Sequence, residues 1–148
     1  MSGNDRSRRW FEPVLFQHLP PEECQDLLAA EAVGRVGFSG PDGPQMLPVN
    51  YVLHQDSIFF RTAADGALAD AMRNSRVAFQ IDDIDEFMRR GWSVLVVGDA
   101  ELVDDPDLLV ELWGDQGPTP WAVGLRTQFV RIRPIRLTGR RIFAGMAT

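Results

Sequence analysis

Leu47-Pro48-Val49-Asn50-Tyr51-Val52-Leu53 and Ser57-Ile58-Phe59-Phe60-Arg61-Thr62 are two strand-like segments joined by the turn His54-Gln55-Asp56-Ser57, and a helical pattern opens just beyond them near Gly66. An arginine and a hydroxyl side chain end the second segment. Gly66 then frees the backbone to turn, and the first amides of a helix, which lack an acceptor inside the helix, can point at an anion. Arg61, Thr62 and Gly66 therefore read as a phosphate cradle. The preceding strand offers Asn50 and main-chain groups beside an apolar face, which suits a flat, polar-edged ring system.

The pattern continues in both directions from this pair. Upstream, Gly34-Arg35-Val36-Gly37-Phe38-Ser39 reads as a strand that turns through Gly40-Pro41-Asp42-Gly43-Pro44, so three strands form a meander. Pro20-Pro21-Glu22-Glu23 starts a helix with proline and acids in its first turn, and Cys24, Leu27 and Leu28 share one face of it. On that stripe Cys24 reads as a small buried side chain. Downstream, Leu68, Ala71 and Met72 share a helical face, and Val77, Phe79 and Ile81 alternate with Ala78 and Gln80 along a strand.

Trp92 to Val103 is the longest apolar strand, and Gly98 interrupts it where a bulge or sharp bend would let a barrel wall curve. Asp105 and Pro106 supply an N-cap and a first-turn proline to a helix carrying Leu108, Leu109, Leu112 and Trp113. After the loop Gly114 to Pro120, the strand Gln128 to Ile142 changes phase: Val130 and Ile132 lie at even positions, Ile135 and Leu137 at odd ones. A bulge at Pro134 would restore the inward face. The expected fold is mainly β (α+β), a six-stranded antiparallel split β-barrel with about three short flanking helices. Residues 1–17 read as an N-terminal arm, in which Trp10, Phe11, Val14, Leu15 and Phe16 can dock, and residues 18–148 as one domain.

At 148 residues, 45% hydrophobic, the chain can bury a substantial core. No apolar run approaches the roughly 20 residues of a membrane span, and no hydrophobic signal core follows the N-terminal arginines, so a cytoplasmic protein without membrane partners is expected. One cysteine agrees with a reducing compartment. The net charge of −6 argues against nucleic acid as a partner. Charge is uneven, with Arg126, Arg131, Arg133, Arg136, Arg140 and Arg141 near the C-terminus and Asp82, Asp83, Asp85 and Glu86 in a cluster.

All 15 basic residues are arginine, which removes Schiff-base chemistry with an aldehyde cofactor and leaves arginine, hydroxyls and backbone amides to hold any anion. His18 and His54 make no local metal motif, and the acidic cluster lacks the spacing of a calcium loop, so no metal site is expected. Ser39 and Ser93 have no histidine at a triad spacing. Trp92, Trp113 and Trp121 read as core or interface aromatics, with Trp121 best placed to line a ligand cleft.

Taken in order, Leu47-Pro48-Val49-Asn50-Tyr51, Ile58-Phe59-Phe60-Arg61-Thr62-Ala63 with Gly66, Val77 to Asp82, Gly91-Trp92-Ser93 through Glu101, and Arg131 to Ile142 resemble the pyridoxamine 5′-phosphate oxidase-like, flavin-binding split-barrel family. The likeness covers roughly Leu19 to Ile142. It implies a homodimer with FMN in two clefts at the subunit interface, each flavin touched by both chains. It further implies that Pro48, Val49 and Asn50 lie along the isoalloxazine ring, and that Phe60, Arg61 and Thr62 lie near the ring, ribityl chain and phosphate. By the same likeness Gly66, Ala67 and Leu68 supply the phosphate end, and Trp92 and Ser93 approach the ring.

Relatives commonly carry a basic residue where this chain has Ala67, which implies either a weaker hold on phosphate or compensation by Arg61 or an arginine of the C-terminal strand. The pattern matches general members of the superfamily rather than true vitamin B6 oxidases. The expected function is an FMN-dependent oxidoreductase acting on a small molecule, with a nicotinamide nucleotide as a candidate reductant and no obligatory side-chain catalyst. The alternatives are a reductase using a deazaflavin cofactor, FAD in place of FMN, and a non-enzymatic flavin-binding, storage or sensor dimer.

Overall fold

Seven strands and three short helices follow one another as β1 (Val14–His18), α1 (Pro21–Ala30), β2 (Val33–Gly40), β3 (Gly43–His54), β4 (Ser57–Thr62), α2 (Ala67–Ala71), β5 (Ser75–Asp85), β6 (Arg90–Leu102), α3 (Pro106–Trp113) and β7 (Gln128–Ala144). This computed structural model describes residues 14–121 and 124–144. The sheet runs β1-β7-β4-β3-β2-β5-β6, and β6 returns to pair with β7, closing a ring of six antiparallel strands to which β1 is attached. The ring is uneven: β5 and β6 pair from Ser75–Ala100 to Asp85–Arg90, whereas β2 and β5 touch only from Arg35–Gln80 to Gly37–Ala78. That short seam is the split in the barrel.

The expected boundary between arm and domain falls inside a strand. Val14–His18 pairs with β7 from Val14–Ala144 to His18–Arg140. The C-terminal part of β7 would otherwise carry an unpaired edge, and β1 covers it while leaving Leu15 and Phe16 exposed. An exposed apolar pair after a polar, basic start carries no strand signature. Trp10 and Phe11 lie outside the described residues.

Local chemistry explains the turns. Gln55 and Asp56 both adopt positive φ, 50° and 61°, as a two-residue hairpin turn whose twist matches its strands requires. The tight turn sets the β3–β4 register at Tyr51–Phe60. Asp105 caps α3 by accepting a hydrogen bond from the Asp107 amide at 3.0 Å.

The phase change in β7 is a bulge. Val97 pairs with Arg136 and Gly98 with Pro134, so Ile135 is the extra residue, next to the expected Pro134. Ile135 itself points to solvent, contrary to the expected inward face, because the bulged residue has no partner on β6. Leu137 regains the core. Gly98 permits the bend, since a Cβ there would stand 2.5 Å from the Arg133 carbonyl oxygen.

Inside the ring, Val36, Ile58, Phe60, Phe79, Val94 and Ile132 are fully buried. α1 docks Cys24 and Leu28 onto this core, and the Tyr51 hydroxyl donates to the Leu28 carbonyl at 2.7 Å. A second cluster lies outside the ring, where Phe59 and Phe129 meet Leu112 of α3, with Val52 packed against them. β4 is therefore buried on both faces, which explains its unbroken apolar run.

Candidate functional site

Strand alternation divides the residues expected to hold a ligand. Phe60 and Thr62 are buried toward the barrel interior, and Val49 and Trp92 pack against the same core. The side chains of Phe60 and Thr62 are therefore turned away from the outer face of the hairpin. Pro48, Asn50, Arg61 and Ser93 occupy the alternate positions and face outward.

The hairpin register places Asn50 beside Arg61, one residue past the Tyr51–Phe60 pair, and Arg61 pairs on its other side with Phe129. The segment after α3 is hydrogen-bonded to both. The Trp121 amide donates to Asn50 Oδ1 at 2.9 Å, and Arg61 Nε donates to the Arg126 carbonyl at 2.9 Å. The Arg61 guanidinium lies 4.4 Å above the centre of the Trp113 ring and 5.4 Å from that of Phe129. Trp113 in turn meets Phe129 edge to face, with centroids 4.9 Å apart. Arg61 is thus oriented by an aromatic floor and a carbonyl, and among the described residues neither Arg61 nor Arg126 makes an ion pair.

Arg126 Nε is buried and has no hydrogen-bond partner among the described residues. Leaving such a group unsatisfied costs about 1–3 kcal/mol, and more when it is charged. Sequence reasoning grouped Arg126 with the C-terminal arginines but assigned it no place. The signal lay in its spacing just before β7, which delivers it to the end of β4.

The segment beyond β4 differs from the expected glycine-dependent turn. Gly66 has φ −84° and ψ 162°, extended backbone that any residue adopts, and a Cβ there would meet Ala63 at ordinary contact distance, 3.5 Å. Ala67 and Leu68 open a helix only five residues long, with Ala67 exposed. The first-turn amides still lack acceptors within the helix.

Trp92 and Ser93 sit apart from this group. Asn50 is on β3 and Ser93 on β6, three strand spacings away through β2 and β5, roughly 14 Å at about 4.8 Å per strand. Ser93 lines an outer groove of about 660 Å³ with Gln80, Asp82, Leu95, Arg136 and Thr138. Trp92, on the opposite face of β6, lines a separate groove of about 420 Å³ with Asp83, Arg90 and Arg141.

Three of the remaining polar side chains are held in place. His54 contacts Glu111 at 2.9 Å, Asp82 pairs with Arg35 at 3.4 Å, and Asp85 accepts from the Met88 amide at 3.0 Å. Burial pushes the Cys24 thiol above its ordinary pKa, with the Glu23 charge adding to the effect, and both oppose thiolate formation. Among the described residues no cluster of His, Cys, Asp and Glu could hold a metal ion, and no helix is long and apolar enough to cross a membrane.

Comparison with known proteins places this geometry in context. Rv0080, an uncharacterized protein of Mycobacterium tuberculosis, is 33% identical over 135 residues, covering 88% of each chain. The structure of an FAD binding protein from Mycobacterium smegmatis superposes with a TM-score of 0.72 at 34% identity, covering 87% of this chain and 99% of that one. An FAD-binding protein of Mesorhizobium loti has the same fold, with a TM-score of 0.68 at 24% identity over 88% of this chain and 98% of its own. Residues 20–141, which run from the start of α1 almost to the end of β7, match the family described as pyridoxamine 5′-phosphate oxidase, and the chain belongs to that family.

Proposed function

We propose that this protein binds a flavin, FMN or its dinucleotide FAD, at the end of the β3–β4 hairpin and works as an oxidoreductase on a small molecule. The observation that carries the reading is Arg61, a half-buried cation held by Trp113 and a carbonyl and paired with no described carboxylate. Such a cation is available to an anion of the ligand. The residues present fit a phosphorylated flavin: the orphaned Arg126 Nε–H seeks an acceptor, and Asn50, beside Arg61 in the hairpin, offers an amide for a ring edge. The 34% identical relative from M. smegmatis, described as FAD binding, supports the same ligand class. When bound, the flavin supplies hydride or electron transfer, while the chain supplies orientation and electrostatics.

The working unit in this reading is a homodimer. Met46, Val33, Ile84 and Leu95 are exposed on the outward faces of β3, β2, β5 and β6, apolar surface of the kind a second copy buries. Trp92 and Ser93, remote from Arg61 within one chain, would then approach the flavin held by the other. The test is the absorption spectrum and mass of the copurifying ligand, with sedimentation of the complex. A flavin spectrum at twice the 16.6 kDa chain mass is expected. A deazaflavin spectrum, the alternative raised by Ala67, or a flavin-loaded monomer would overturn it.

A further inference from the structure

We propose that Arg126 is the second cation of a phosphate clamp, acting with Arg61 on the phosphate of FMN or the pyrophosphate of FAD. The proposal rests on the flavin reading and assigns the task that Ala67 leaves undone. Arg61 Nε is 2.9 Å from the Arg126 carbonyl. Covalent geometry keeps an arginine Nε within about 7 Å of its own carbonyl oxygen, so the two Nε atoms lie no more than about 10 Å apart. A phosphate or pyrophosphate group can bridge two guanidinium groups at that reach.

The pairing is otherwise hard to account for. Arg61 is tied to the main chain of Arg126 at the end of β4, and neither side chain pairs with a carboxylate among the described residues. Trp113 occupies one face of Arg61, and the Arg61 Nε–H is already satisfied by a carbonyl. Arg126 has an Nε–H buried without an acceptor among the described residues. A buried donor on a permanent cation is built for an anion, and arginine suits phosphate through its planar set of donors. A purely structural arginine would have spent that donor on a hydroxyl, carbonyl or carboxylate oxygen, as Arg131 does on the Ser57 hydroxyl at 3.0 Å and Arg133 on the Glu101 carboxylate at 2.9 Å.

The experiment compares wild type with Arg126→Met and Arg126→Lys. Riboflavin, FMN and FAD binding are measured by fluorescence quenching, and thermal melting is followed with and without inorganic pyrophosphate. Arg126→Met should weaken FMN and FAD about ten-fold or more, leave riboflavin unchanged, and melt no lower than wild type without ligand, because it removes the orphaned donor. Arg126→Lys should recover part of the loss. A larger loss for FAD than for FMN would locate Arg126 at the second phosphate, and equal losses at the one nearer the ring. Equal losses for riboflavin and FMN, or a lower melting point with unchanged FMN affinity, would overturn the clamp. Wild type binding riboflavin as tightly as FMN would overturn it and leave the flavin reading standing. If wild type binds no flavin yet pyrophosphate raises its melting point and not that of Arg126→Met, the clamp stands and the flavin reading falls. No response to either would overturn both.

Discussion

Replacing Trp113 by leucine removes the floor under Arg61. The ring is 54% exposed, so the stacked guanidinium keeps part of its hydration and the cation–π contact is worth about 0.5–1 kcal/mol. The edge-to-face contact with Phe129 adds about 0.5–1.5 kcal/mol. Leucine restores some packing on Leu112 and Phe129, which leaves a net loss of about 1–2 kcal/mol and a fall in Tm of roughly 3–8 °C for a chain of this size. Arg61 would then be held by the Arg126 carbonyl and the more distant Phe129 ring, and FMN affinity should drop about three- to ten-fold while riboflavin affinity holds. The decisive assay is a double-mutant cycle for FMN binding with Trp113→Leu and Arg61→Ala. A coupling of about 0.5–1.5 kcal/mol is expected if Trp113 acts through Arg61. Additive effects, with coupling below about 0.3 kcal/mol, would refute the assignment of Trp113 as the residue that positions Arg61.

Three further outcomes follow from the fold. Cys24→Ala should keep flavin binding and lose about 1–2 kcal/mol of stability, since the thiol is wholly buried and its raised pKa keeps it protonated; lost turnover with normal binding would show thiol chemistry instead. Tyr51→Phe strands the Leu28 carbonyl and should cost about 1–3 kcal/mol. Burial, aided by the Glu31 charge, raises the Tyr51 pKa, so its contribution is intact below the unfolded value near about 10 and is lost as pH rises toward the folded value. Melting curves above about pH 10 should therefore fall more steeply for wild type than for Tyr51→Phe, and parallel curves would contradict this. Gly98→Ala forces a Cβ onto the Arg133 carbonyl and should cost about 1–3 kcal/mol in denaturant unfolding, whereas a neutral effect would mean the β6–β7 bend is not tight.

Most of the barrel was legible because its strands alternate strictly and its turns carry distinctive residues. Val77, Phe79 and Ile81 faced inward as their period of two demands, and the β7 bulge announced itself as a change of phase. β1 was hidden because Leu15 to His18 are all exposed and show no alternation with burial; its role depends on the free edge of β7, a partner more than a hundred residues away. At the site, Asn50 and Arg61 were legible as neighbours once the hairpin turn was read. Their engagement by Trp121 and Arg126 was not, because a loop of glycine and proline carries no periodicity from which a landing point can be deduced. The same limit concealed the Trp113 ring beneath Arg61, since helix spacing gives the face of α3 but not the strand it meets.

β7 touches β1, β4 and β6, and its contacts with β4 join residues around position 60 to residues around position 130. Until Gln128–Ala144 has left the ribosome, β4 and β6 each present an open hydrogen-bonding edge, and the aromatic pair Phe59 and Phe60 has no lid. Separations of about 70 residues close slowly, because the chain entropy of the loop is surrendered before any pairing rewards it. Synthesis should therefore pass through a long, adhesive interval in which an incomplete sheet can recruit a stranger's strand. Release from that hazard comes all at once with the arrival of a single strand, so a nonsense mutation between the end of β6 and position 128 should yield not a weakened barrel but an aggregate.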